Sequence, residues 1–496
     1  LRMTLFSRSI ATLLTALAVA QGALAEPWLA PGDPRLRLDL QLLNDAGLMQ
    51  IPLSTWPLSW GDIEAAIQNA DALNGSSATD EALQRIESDL RTAATIGEPL
   101  VRFSANVAEN PRFIRSFENT PRGDAEVSGS WSWTGDIFAI NLHAAVIDNP
   151  FDDDEFSPDG TYLGLALGNW MLSAGWQERW WGPGRDGSLI LSTNARPSPG
   201  IAIQRNRSTA FESKWLRWLG PWSLTSFVNL LDDDREIDDA LLFGLRITLK
   251  PLENLEIGLS RTAQFCGDDR PCDTQAFTDM LFGNDNAGVN VDPDDEPGNQ
   301  LAGFDFRWAL PWEIPLAVYA QWIGEDGRSG TPVPGSWLRQ GGLESWGRIG
   351  SLSHRTHIEF SDTSCHEGGL GFSDIKPNCA YEHSIYRTGY RYNEKALGHG
   401  IDGDGRSYSL GSTLVQPAGH SWNLLIRYME INRVGDPETR HSISPTPQDL
   451  TDIQLTHDRW TRFGRFYLGL GYSHLDDAAS SATSSDFSAF LSWSSM

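Results

Sequence analysis

The sequence predicts an all-β transmembrane barrel of about 18 antiparallel strands with a small N-terminal α-helical bundle at the periplasmic end. Three observations predict it. From about residue 98 to the C-terminus, apolar residues recur at every second position in stretches near ten residues long. Short turns and long polar loops join those stretches, the asymmetry of an outer-membrane barrel. Aromatic residues, among them 20 Trp, gather at the ends of the stretches, where membrane barrels carry their girdles.

In chain order, residues 1–25 read as a secretory signal. Arg2 and Arg8 supply the positive start, Ile10 to Ala20 the apolar run, and Ala23-Leu24-Ala25 the small-x-small cleavage site before Glu26. Residues 26–97 have the helical period. Asp33 is placed to cap a helix that has Pro34 at its first position, continues through Leu36, Leu40 and Leu43, and stops at Gly47. Ser59 with Asp62 reads as a capping box before Ile63 and Ile67. Thr79 is placed to cap a third helix through Leu83, Ile86 and Leu90. Three such helices make too small a core to stand alone, so the bundle is expected to pack on something larger.

Residues 98–496 carry the two-residue period. Phe243, Leu245, Ile247 and Leu249 alternate with Gly244, Arg246, Thr248 and Lys250, and Phe304, Phe306 and Trp308 alternate with Asp305 and Arg307. Trp422 to Tyr428 and Phe466 to Ser473 repeat the pattern, and Phe487 to Trp493 alternates at the C-terminus. A face bearing Arg, Asp and Lys is not a dry core. A soluble sandwich would hide one face too, but its strands run to about five or six residues. At about 22 residues per strand and connection, the segment holds about 18 strands. The expected long loops are Phe265 to Asn299, Gly324 to Gly341, Ser361 to Glu382 and Arg433 to Asp449.

Composition excludes several functions. With 65 acidic and 38 basic residues among 496, the net charge of −27 repels phosphate backbones, which argues against a nucleic-acid partner. A mean hydropathy of −0.32 without long apolar runs past residue 25 excludes a helical membrane protein. High Trp with 47 Gly fits carbohydrate-binding surfaces or the girdles of a barrel. Four cysteines beyond the signal suit an oxidising compartment. Three pairings are open in principle, and local closure of Cys266 with Cys272 and of Cys365 with Cys379 is the simplest. Zinc is the alternative, although the chain has no Cys-x-x-Cys and no paired His at ligand spacing.

The densest motif is Gly175-Trp176-Gln177-Glu178-Arg179-Trp180-Trp181-Gly182-Pro183-Gly184-Arg185-Asp186-Gly187, continuing through Asn194, Arg196 and Gly200. This stretch resembles the signature of the Wzi family of outer-membrane proteins in capsule assembly. A second such stretch is Gly398 to Ser407, and the order signal, bundle, barrel is similar to that family throughout. The resemblance implies a monomeric barrel, not known as enzymatic, that holds capsular polysaccharide at the cell surface in a lectin-like way. It carries over no ligand-contacting positions.

The residues themselves have a chemistry suited to sugars. Trp stacks on the apolar face of a sugar, while Arg, Asp, Asn and Glu bond its hydroxyls. Arg179, Trp180, Trp181, Asp186, Asn194 and Arg196 supply both kinds at close range. The competing reading is structural: a Trp-Trp-Gly-Pro-Gly turn packed at the barrel rim, with the arginines paired across the lumen. Trp337, Arg339 and Trp346, with Gln340 and Glu344, form a further aromatic-polar group expected in or near a long loop, or on a strand entering the girdle. The acidic runs Asp232-Asp233-Asp234 and Asp292 to Glu296 read as solvated tips with room for a divalent cation. Asp402-Gly403-Asp404-Gly405 lacks the remaining ligands of a calcium loop and reads as a tight turn.

No catalytic residue, resident metal or cofactor is singled out: Gly-x-Ser-x-Gly, His-Glu-x-x-His and a Walker loop are all missing. The expected partners are surface polysaccharide, outer-membrane lipid and lipopolysaccharide. A sugar-permeable porin and, further off, a glycan hydrolase are the competing functions.

Overall fold

The computed structural model describes residues 27–68, 77–93, 96–282, 298–327, 334–367, 375–435, 440–477, 479–480 and 482–495. The expected signal segment and the acidic run 292–296 lie outside the described residues.

Eighteen strands close one antiparallel barrel. They are β1 (Leu100–Glu109), β2 (Ala125–Thr134), β3 (Phe138–Asp148), β4 (Tyr162–Leu167), β5 (Trp170–Gly175) and β6 (Gly200–Arg205). Next come β7 (Trp222–Leu230), β8 (Leu241–Leu252), β9 (Leu255–Phe265), β10 (Gly298–Ala309), β11 (Leu316–Gly327) and β12 (Pro334–Ile349). The ring is completed by β13 (Leu352–Glu367), β14 (Arg406–Val415), β15 (Ser421–Ile431), β16 (Gln448–Thr461), β17 (Gly464–Asp477) and β18 (Ala482–Ser494). The seam pairs β18 with β1, Ala489 opposite Glu109 and Ser494 opposite Ser104.

The two ends differ. At the turn end, Glu253-Asn254, Gly350-Ser351 and Arg462-Phe463 join neighbouring strands. At the loop end lie the connections 149–161, 176–199, 266–297, 368–405 and 432–447. Two expected loops are partly strand. Gly324 to Gly327 and Pro334 to Gly341 belong to β11 and β12, and Ser361 to Glu367 continues β13. The β11–β12 ladder runs on through the Gly and Pro residues there. A helix, α4 (Thr274–Phe282), sits in the expected long loop Phe265 to Asn299, with Phe277 against Phe243 and Phe265.

Period two sorts the side chains. On β1, Val101, Phe103 and Val107 face outward, 47–59% exposed, while Arg102, Ser104 and Asn106 line the lumen. Trp215, Trp218 and Trp312 stand exposed in turn-end connections, one interfacial girdle.

The N-terminal helices are α1 (Pro34–Asp45), α2 (Trp60–Ile67) and α3 (Ser77–Ala93). Asp33 caps α1 by accepting from the Leu36 N–H at 3.0 Å, and Ala46 ends it. Ser59 caps α2, but the box is half made: Asp62 accepts from the Ser208 N–H instead of returning to Ser59. Thr79 does not cap α3. That helix already runs from Ser77, so Thr79 is an interior, buried position. As expected, the bundle packs on something larger, the inner wall of the barrel.

Candidate functional site

The signature connection 176–199 leaves β5 at the loop end and folds down into the lumen. There it meets the N-terminal coil coming from the turn end. Trp180 pairs with Trp56 and Trp181 with Thr55 as a two-residue antiparallel ladder, and the Gly182 N–H donates to the Ser54 carbonyl at 2.9 Å. Trp56, Phe117 and Trp180 meet edge to face at 5.2 Å. Arg37 of α1 lies 4.3 Å over the Phe117 ring and donates to the carbonyls of Pro183 and Gly184 at 3.0 and 2.8 Å. Both halves of the plug are therefore one packed unit.

Inward polar residues of the wall hold that unit. The Glu359 carboxylate accepts from the N–H groups of Arg185, Asp186 and Gly187 at 2.7, 3.1 and 3.2 Å, and from the Tyr319 hydroxyl at 2.8 Å. Gln321 takes the Leu189 N–H and gives to the Trp181 carbonyl. Glu256 accepts from the N–H groups of Leu53 and Ser54. Arg246 reaches Thr55 and Ser54 while paired with Asp305 at 2.6 Å. Asp45 ends α1 between Arg307 and Arg355, both at 2.7 Å, and Glu344 compensates the same arginines together with Arg185. Buried charges are tolerated when paired and hydrogen-bonded in this way.

The second motif stretch packs on the first. The Ser192 N–H donates to the Leu397 carbonyl and its hydroxyl to that of Gly398, and Asn194 donates to that of Ala396. A Cβ on Gly187 would stand 2.1 Å from the His399 ring, so glycine is required there for close approach. Asp402 and Asp404 sit at positive φ in a tight turn. Asp402 is clamped by Arg391 at 2.8 Å and accepts from the Ser442 N–H, so it is a bracket between loops. Burial alone would raise its carboxyl, but the Arg391 guanidinium holds it well below the usual carboxylate range.

The sugar-chemistry residues of the signature are accordingly inside. Trp180 and Trp181 have no exposed surface, and neither indole N–H has a partner among the described residues. Arg179 lies 4.3 Å over the Phe227 ring. Asp186 bonds Ser407 and Arg427, and Asn194 is bonded to backbone. Arg196 is paired with Asp152 at 2.5 Å. These contacts are structural ones, but the Trp-Trp-Gly-Pro-Gly turn is packed inside the lumen against residues 53–56 and not at the barrel rim, because the ladder with Trp56 and Thr55 draws it inward. Trp337, Arg339 and Trp346 do not form one group in a loop. All three are on β12, with Trp337 buried against Phe304 near the loop end and Trp346 under Arg355 toward the turn end. Arg339 bonds Asp362 on the neighbouring strand.

Both local disulfides, Cys266–Cys272 and Cys365–Cys379, are formed. Glu325, Cys365 and Cys379 come together, but the two sulfurs are bonded to each other and are not available as metal ligands. Of the acidic run 232–234, Asp232 is paired with Arg235 at 3.0 Å, and Asp233 and Asp234 are exposed. Glu236 joins Arg440 at 3.2 Å and Arg387 at 3.9 Å, which links three loop-end connections.

The sequence reading missed Glu359, Gln321 and Glu256. Each occupies an inward position in an alternating stretch, and that was the signal available for it.

A family model described as capsule assembly protein Wzi matches residues 100–477. An uncharacterized 55.8 kDa protein in the cps region of Klebsiella pneumoniae is 30% identical over 436 residues, covering 86% of this chain and 82% of that protein. A solved structure of Wzi, described as an outer-membrane, carbohydrate-binding β-barrel involved in group 1 capsule assembly in Escherichia coli, superposes with a TM-score of 0.81. It is 27% identical and covers 94% of this chain and 98% of its own.

Proposed function

Because the chain belongs to the Wzi family of capsule assembly proteins, we propose that it is a non-enzymatic, lectin-like barrel of the outer membrane that holds capsular or related polysaccharide at the cell surface. The turn end with the helices faces the periplasm, and the loop end faces outward. The observation that carries this reading is the fixed loop end. Connection 176–199 is one half of the plug, and residues 375–405 are folded onto it and bonded to it, which leaves a braced platform where a porin would have an open mouth.

On this reading Arg179, Trp180, Trp181, Asp186, Asn194 and Arg196 position the platform from below. Contact with glycan falls to the rim around the exposed Arg387 and Arg440 and the half-buried Tyr392. The protein acts as a monomer among lipid and lipopolysaccharide. Many weak contacts along a repeating polymer supply the affinity, so avidity dominates. Exposed Asp233, Asp234, Asp238 and Asp239 make the rim acidic, and divalent cations bridge it to anionic glycan.

The test is binding of the detergent-purified full chain to the producing strain's own surface polysaccharide, beside a variant whose 231–240 and 382–394 segments are replaced by Gly-Ser. Saturable binding without release of reducing ends, lost in the variant, supports the reading. Absence of binding together with a steady open-channel current would replace it with the porin.

A further inference from the structure

A cavity of about 690 Å³ separates the plug from the wall made by β1–β3 and β16–β18. Strand register builds its wall side in polar tiers. Ser130 lies opposite Arg102 and His143, Ser128 opposite Ser104, and Glu126 opposite Asn106. Trp28 of the plug and Tyr162 of β4 meet edge to face at 5.0 Å and form an aromatic corner. At the loop end the cavity stops at Arg122, which is bonded to Glu178 and to the carbonyls of Thr193 and Asn194. Toward the turn end its lining continues to the exposed residues Thr92 and Trp460.

Two polar atoms on this wall, Asn106 Oδ1 and His143 Nδ1, are buried and have no hydrogen-bond partner among the described residues. Such atoms are costly when nothing answers them. The volume is that of a ligand pocket and far more than one ion needs. An acyl chain would bury the Ser, Asn and Glu tiers without hydrogen bonds, which is unfavourable. A hydroxyl-rich chain gives each tier a donor or acceptor and offers its apolar face to the Trp28–Tyr162 corner.

We propose that this cavity is a second carbohydrate site, inside the barrel, which takes a short glycan segment from the turn end. It rests on the lectin-like reading and extends it to a place that the surface loops do not reach. The segment lies along β1–β3, bonded to Ser130, Asn106 and His143.

The full-length protein with Ser130→Cys tests this, because all four native cysteines are in disulfides and leave no competing thiol. The probe is a set of short fragments cut from the producing strain's polysaccharide. Binding is followed by calorimetry and access by the rate of thiol modification with a small methanethiosulfonate. At ten times Kd the fragments are expected to slow modification of Ser130→Cys roughly tenfold. Ser492→Cys on β18, opposite Asn106 across the seam, is a second reporter and should behave alike. Heat of binding with unchanged modification rates overturns the internal site and leaves the surface lectin standing. No heat and no protection removes both. If neither thiol reacts in the absence of sugar, the cavity is closed to solutes and the proposal falls.

Discussion

Trp180 is the residue on which the two halves of the plug converge, and Trp180→Ala measures what holds the lumen shut. Its ring is fully buried between Trp56, Phe117 and the Arg37 side chain. The indole N–H has no partner among the described residues, so truncation there removes packing and no hydrogen bond. Loss of a buried Trp costs about 3–5 kcal/mol. The barrel ladder does not run through Trp180, so that cost falls on the docked plug and not on the wall. It raises the ratio of undocked to docked plug roughly 10²–10⁴-fold. Planar-bilayer recording should then show frequent openings in Trp180→Ala beside a quiet wild type, with heat-modifiable mobility on gels reporting an intact barrel in both. Trp180→Phe, which keeps most of the ring, should resemble wild type. A folded Trp180→Ala barrel as quiet as wild type, with its 176–199 segment equally resistant to protease, would refute the claim that this contact closes the lumen.

Gly187→Ala drives a methyl group into the His399 ring and should destabilise the loop-end platform by about 1–3 kcal/mol. Gly187→Ala with His399→Ala should recover part of that loss, read as the melting midpoint. Asp45→Asn leaves Arg307 and Arg355 short of one carboxylate and should cost about 3–5 kcal/mol of α1 docking, seen as faster proteolysis near residues 34–45. Asp402 is held low by Arg391, so the ionised carboxylate contributes stability above its unfolded value near 4, and that stability is lost as pH falls through the lower folded value. The melting gap between wild type and Asp402→Asn should therefore be full at pH 7 and pH 5 and close below about pH 4. Chelation of divalent cations should release bound anionic polysaccharide, and binding that survives chelator would dispose of cation bridging.

Wall and plug were unequally legible in the sequence. A strand with lipid on one side and a polar lumen on the other must alternate, so Phe243 to Lys250 and Phe304 to Trp308 declared both strand and facing. The plug had no such period. Residues 176–199 are rich in Gly, Pro, Ser and Arg, a composition that suits an exposed loop, and they are buried only because residues 53–56, remote in the chain, pair with them. Trp180 and Trp181 look like stacking platforms by residue type, but the ladder with Trp56 and Thr55 gives them another task. Glu359 was visible only as one inward carboxylate among several. Its role needs the three N–H groups that the folded loop aims at it. In α3, Thr79 was a plausible cap by type, and two further residues of helix before it made it an interior position.

The seam between β18 and β1 also bears on the order of assembly. The coil 53–56 lies inside the ring, gripped by Glu256, Arg246 and the descending 176–199 segment. Once Ala489 has met Glu109 and the circle is shut, that coil can enter only through the turn end, against partners that already bond one another. A nascent chain that docks the coil on β8 and β9 while the sheet is still an open sheet avoids that route. Zipping the last strand to the first is then the step that commits the interior, and a ring sealed early around an empty bore would be a trapped product.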